Sequence, residues 1–211
     1  MSGLLIQNRR YVSQRTQGLA PITEARILDA AYTQVMLVGF RRTTLTDVAE
    51  RAGLARMTVY RRFPDVRSVL QALMLREFAW IVEQARTDSE VVAGTRGQIV
   101  ASAVRGVELI VTHELFLRLL DVDPELLLPY VTYRPGRFQD AAAEALTARL
   151  KDGIAEGSVR REDPRRLAGS MQLAMRGFAL AARAESTPKE RRVALDDLGR
   201  MLEGLLRPEG S

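Results

Sequence analysis

Between residues 23 and 206 the apolar side chains recur at intervals of three and four, and no run alternates convincingly with period two. A chain patterned this way buries stripes of helices rather than faces of strands, so the predicted fold class is all-α, with about nine helices. Local start and stop signals divide the pattern. Thr23 caps a helix whose inward face is Ile27, Leu28, Ala31, Val35 and Val38, and Gly39 stops it. Thr44-Leu45-Thr46-Asp47 has the capping-box form with Asp in place of Glu, and Ala52-Gly53 closes that short helix. Leu54 leads into a third short helix through Phe63, and Pro64-Asp65 opens a longer one reaching about Thr87. Further helices are expected over 97–112, 114–120 and 124–130. Another runs from about Pro135 to Gly157, with Phe138, Ala141, Ala142, Ala145, Leu146, Leu150 and Ile154 on one side. Asp163-Pro164 starts the next, carrying Leu167, Met171, Ala174, Met175, Phe178 and Ala181. Thr187-Pro188-Lys189-Glu190 is a full capping box opening the last.

The side-chain inventory limits the chemistry. The 211 residues include no cysteine and one histidine, His113. Disulfides, thiolate metal sites and thiol catalysis are excluded, and histidine-based metal sites or triads are disfavoured. Asp121, Asp123 and Glu125 are interrupted by Pro124 and have no second ligand cluster. The chain is therefore read as a non-enzyme without metal or cofactor. No apolar run approaches the length of a membrane span and the N-terminus does not resemble a signal peptide, so the expected location is cytoplasmic. The formal charge of +5 is unevenly placed: residues 1–70 hold eleven Arg, no Lys and five acids, whereas residues 71–211 hold 20 basic and 21 acidic residues. An excess of +6 on the first third and −1 on the rest points to an anionic partner for the N-terminal part. The expected organisation is a flexible basic arm over 1–21 with Arg9, Arg10 and Arg15, a small domain over 22–66, and a larger one over 67–211.

Residues 43–65, TTLTDVAERAGLARMTVYRRFPD, carry the most specific signal. Two short helices that cross closely need a small residue at the crossing, a turn residue tolerant of positive φ, and an inward apolar residue on the second helix. Ala49, Gly53 and Val59 supply them, with Val48, Ala52 and Leu54 completing a small core. With Thr43-Thr44, Thr58-Val59-Tyr60 and Phe63-Pro64-Asp65, the segment resembles the DNA-binding part of the tetracycline-repressor (TetR) family of bacterial transcription regulators. The resemblance is strong over about residues 22–70, and beyond them extends only to the order and length of helices. It implies a three-helix helix-turn-helix domain joined to a larger helical domain for ligand binding and dimerisation. Two positions depart from the family pattern. Ala55 stands where a capping Ser is common, and Val66 stands where a basic residue often starts the fourth helix, with Arg67 adjacent.

On that resemblance the second helix of the motif reads DNA. Arg56 and Met57 are the expected base readers, Arg toward guanine and Met against a thymine methyl. Thr58 and Tyr60 match family positions that touch the DNA backbone, Arg61 and Arg62 add charge at the rim, and Thr44 and Thr46 aim donors at another phosphate. Arg41, Arg42 and the arm can reach further along the duplex. A monomer of this type reads too few base pairs, so a homodimer on a palindromic operator in double-stranded DNA is expected. Ala194, Leu198, Met201 and Leu205 form a seam on the last helix, flanked by Leu195, Leu202 and Leu206, and Ala174, Phe178 and Ala181 lie on the helix before it.

Trp80, His113, Phe116, Tyr130, Tyr133, Phe138, Met171, Met175 and Phe178 are the candidates for binding an unidentified, largely apolar small-molecule effector, with Glu114 and Arg118 as further polar groups. The sequence favours a ligand-responsive repressor. It does not separate repressor from activator or ligand-independent regulator, and a helical carrier or enzyme would need a constellation of groups not found here.

Overall fold

The computed structural model describes residues 19–123, 125, 137–181 and 187–209, with the side chains of 19–22 and 137–139 outside the description. The arm with Arg9, Arg10 and Arg15, the segment 124–130 apart from Glu125, Tyr130, Tyr133 and the side chain of Phe138 lie outside the described residues. Among the described residues the regular structure is nine helices: α1 Leu19–Val38, α2 Leu45–Ala52, α3 Arg56–Arg62, α4 Val66–Ser89, α5 Thr95–Thr112, α6 Glu114–Val122, α7 Arg137–Ala155, α8 Pro164–Ala181 and α9 Pro188–Leu206. None of them is long and apolar enough to cross a membrane.

The first helix begins at Leu19, four residues ahead of the expected Thr23 and inside the stretch assigned to the arm. It runs through Pro21. A proline in a first turn costs little, because the N–H it lacks would have no intrahelical acceptor there. Ile27, Leu28, Ala31 and Val35 are buried as the spacing predicts. On α7 the inward line is narrower than expected: Leu150 is buried and Leu146 and Ile154 are partly so, while Ala141 and Ala145 are exposed. An alanine is small enough for either side of a helix, so its periodicity carries little information about facing.

The chain packs as two compact units, Met1–Leu75 and Arg76–Ser211, the division falling within α4. In the first, α1 packs on α2 and α2 on α3. In the second, α5 is the hub, in contact with α6, α7, α8 and α9, and α8 also meets α7 and α9. Its core is Ile99, Ala103, Val107 and Val111 of α5, Leu150 of α7, Leu167, Ala168 and Met171 of α8, and Leu195, Leu198, Leu202 and Leu206 of α9, with Val159 from the connection. Leu198, expected in an intermolecular seam, is fully enclosed in this intramolecular core and corrects that assignment. Met171 is likewise fully buried there, and Met175 and Phe178 pack against it.

Candidate nucleic-acid interface

The motif's local geometry follows from short-range chemistry. Thr44 is an extended N-cap whose hydroxyl accepts from the Asp47 amide at 3.2 Å, and Asp47 Oδ2 accepts from the Thr44 amide at 3.3 Å. The Thr44 hydroxyl also donates to Asp47 Oδ2 at 2.7 Å. Its proton is thus engaged within the cap, while the first-turn amides of Leu45 and Thr46 precede any intrahelical acceptor. Behind the cap, Thr43 is buried and its hydroxyl donates to the Gly39 carbonyl at 2.8 Å. Val48 and Ala49 are fully buried, so α2 lies close against its neighbours.

Gly53 ends α2 in the left-handed region, φ 63° and ψ 38°, its amide donating back to Ala49 and Glu50. A side chain there would be strained, and a Cβ would sit 3.3 Å from Arg26 Nη2. Arg26, on α1, donates from that nitrogen to the Ala52 carbonyl at 2.7 Å and to the Gly53 carbonyl at 3.5 Å. A cation thus covers the carbonyl end of α2, where the helix dipole is negative.

The second helix of the motif has seven residues and one buried side chain, Val59. Its N-cap, Ala55, makes no side-chain cap. Arg56, Met57, Tyr60 and Arg61 share the exposed face, and Met57 is 77% exposed. Met57 stands out of its own core next to Arg56 and one turn before Arg61. Arg56, Arg61 and Arg67 are exposed and meet no acid among the described residues; Thr58 and Thr46 are half-buried. Arg62 differs. It forms an ion pair with Glu24 of α1, its Nε lying 2.8 Å from Glu24 Oε2, and its guanidinium also lies 5.9 Å from the centre of the Phe63 ring. The expected phosphate donor is therefore engaged within the fold. Asp65 caps α4 through the Ser68 amide at 2.7 Å, leaving Arg67 on the exposed side.

The second unit brings together three of the expected effector residues. His113, at the α5–α6 junction, lies 6.1 Å from Trp80 and 5.3 Å from Phe116 between ring centres. Phe78, which the periodicity did not single out, packs against Phe116 in a tilted arrangement, 4.5 Å between ring centres. His113 Nε2 is 3.3 Å from Glu77 Oε2, and Arg76 Nη2 holds Glu77 at 2.8 Å. His113 Nδ1 is buried and has no hydrogen-bond partner among the described residues. Burial alone would push the Glu77 carboxyl up, but the bond from His113 and the hydrogen bond and charge of Arg76 outweigh it and hold it below the ordinary carboxylate range. Met171 lies in the core built on α5, α7, α8 and α9, and Met175 and Phe178 pack against that core. Among the described residues no group of three or more acids and histidines can hold a metal ion.

Two short helices closed by an αL glycine, the second offering arginines and a methionine outward, define a helix-turn-helix DNA-binding protein. Residues 27–73 match the bacterial regulatory proteins of the tetR family. An uncharacterised HTH-type transcriptional regulator of Mycobacterium bovis is 38% identical over 148 residues, which are 69% of this chain and 74% of that protein. Among solved structures, a TetR-family transcriptional regulator from Pectobacterium atrosepticum aligns with a TM-score of 0.72 and 21% identity, over 91% of this chain and 98% of the other. The fatty acid degradation regulator FadR of Bacillus halodurans aligns with a TM-score of 0.65 and 15% identity, over 89% and 96%. The chain belongs to the TetR family of bacterial transcription regulators, and is a regulator rather than an enzyme.

Proposed function

We propose that the protein is a ligand-responsive repressor that binds a palindromic operator as a homodimer and is released by a small, largely apolar effector. The observation that carries the DNA-reading part is the outward face of α3, where Arg56, Met57, Tyr60 and Arg61 stand clear of the fold around one buried anchor, Val59. Arg56 supplies a two-pronged donor for guanine and Met57 a methyl-sized contact for thymine. Tyr60, Arg61, Arg67 and the amides at the start of α2 take phosphates, fixing the register. Binding-site selection from a random duplex library tests this: an enriched inverted repeat supports the reading, and no enrichment refutes it.

Dimerisation is supported by apolar side chains left outward on the last two helices. Leu173 and Leu180 of α8 and Val193 and Met201 of α9 are exposed, while Gly177 has open space around it, as a close helix neighbour requires. Ala174, Ala181, Ala194 and Leu205 lie at or beside this face. The effector reading is supported by Trp80 and Phe116 beside His113, whose buried Nδ1 has no partner among the described residues, a polar point in an aromatic setting. Occupancy there would bias α4, which carries Glu77 and Trp80, and so change the spacing of two recognition helices from the roughly 34–36 Å of one DNA turn. A coupling of about 1–3 kcal/mol corresponds to a 5–150-fold loss of operator affinity. Trp80 is the single tryptophan, so its emission reports occupancy while a gel shift reports release. A compound that saturates the Trp80 signal without weakening operator binding is not the effector.

A further inference from the structure

A seven-residue helix is far shorter than the roughly 12–15 residues that persist alone in water, so α3 takes its direction from what it is attached to. Val59 fixes its middle and the buried Phe63 its exit, but two apolar anchors near one line leave rotation about that line soft. The remaining hold is polar. Arg62, the last residue of α3, gives both Nε and Nη2 to Glu24 Oε2, on a helix 38 residues earlier in the chain. Two residues along α1, Arg26 holds the carbonyl end of α2. One helix therefore grips the reading unit at both of its C-terminal ends.

We propose that Glu24 and Arg62 are positioning residues for base recognition: Glu24 holds Arg62 so that α3 presents Arg56 and Met57 at a fixed angle, and the Arg62 charge is committed to that hold rather than to a phosphate. This rests on the reading of α3 as the base-reading helix. The argument is geometric. A two-pronged Arg–guanine contact is lost by a small rotation of its helix, whereas phosphate contacts made by long flexible side chains tolerate one. The pair therefore acts on specific binding and leaves non-specific binding alone.

The test uses the full-length protein and the duplex that it enriches from a random library, with a scrambled duplex of equal length as control. Affinities of the wild type, Glu24→Gln, Arg62→Met, the double variant and the charge exchange Glu24→Arg with Arg62→Glu are measured across a salt series. Each single variant is expected to lose about three- to fivefold on the enriched duplex, the scale of an exposed ion pair, and nothing on the scrambled one. The slope of log affinity against log salt stays unchanged, the double variant is no weaker than either single, and the exchange restores binding. The exchange also guards against misfolded single variants, since it keeps the pair. If Arg62 works on a phosphate instead, Arg62→Met lowers the slope by about 0.9 on both duplexes, and Glu24→Gln tightens binding by freeing the arginine. That result, or no effect of any variant, overturns the proposal. A wild-type protein that enriches no sequence refutes the reading of α3 itself.

Discussion

Glu77 and His113 meet at 3.3 Å, Oε2 to Nε2, with side chains only 15% and 10% exposed. Burial opposes the carboxylate, yet His113 and Arg76 hold the Glu77 carboxyl below its ordinary value. A carboxyl whose folded pKa is lowered stabilises the fold above its unfolded pKa and loses that contribution as pH falls toward the folded one. The Glu77 contribution to unfolding free energy is therefore expected to be fully present above about pH 5 and to decline from about pH 4 downward. Urea titrations across that range check it. Glu77→Gln should remove part of the acid slope; an unchanged slope would mean that the Glu77 pairing adds nothing to stability.

Gly53 occupies a position where a side chain is strained. With φ at 63° and Arg26 Nη2 3.3 Å from where a Cβ would stand, Gly53→Ala adds backbone strain and displaces the guanidinium covering Ala52. A loss of about 1–2 kcal/mol is expected from the backbone term alone. Thermal unfolding of the full chain measures it, and a melting temperature equal to wild type would contradict the strain argument.

The motif was legible because its chemistry is local. Thr44 with Asp47, Thr187 with Glu190, and Gly53 at the end of α2 each act within four residues, so their spacing alone announces them. The pairs that orient the motif are not local: Arg62 meets Glu24 across 38 residues and Arg26 meets Ala52 across 26. Helical periodicity says which side of a helix is apolar and nothing about which charges meet across helices. The last helix shows a second limit. Ala194, Leu198, Met201 and Leu205 make one acceptable stripe and Leu195, Leu198, Leu202 and Leu206 another, rotated by about one residue. Packing selects the second for the chain's own core and leaves Met201 outward.

Ala55 leaves α3 without a side-chain cap. Its extended backbone, φ −60° and ψ 138°, is already that of a capping residue, so Ala55→Ser can accept from the first-turn amides without rearrangement. A gain of about 0.5–2 kcal/mol in stability is expected. Because a pre-ordered α3 has less to lose on binding, affinity for the enriched duplex should rise as well. Stabilisation without tighter binding would show that α3 is already fully ordered in the free protein.

Arg56 is exposed beside Met57 and has no acid to hold among the described residues, unlike Arg62. Arg56→Ala should weaken binding to the enriched duplex by about 1–3 kcal/mol and relax preference at one base of each half-site. Repeating the library selection with the variant reads this directly. A motif enriched with the same base preference would remove Arg56 from the base-reading set.

Leu173 is 67% exposed and Met201 56% exposed, on the two helices that end the described chain. Both stand largely outside the core of their own chain, so replacing both by Glu should change the stability of the single-chain fold by no more than about 0.5 kcal/mol per site. If the face is the dimer seam, four buried charges per pair of chains would open it. Sedimentation equilibrium at micromolar concentration should give twice 23.5 kDa for the wild type and 23.5 kDa for the double variant. Binding to the enriched inverted repeat should fall steeply with it, because two half-sites then bind independently and the gain from linking them is lost. A variant that keeps the dimer mass would place the seam on another face.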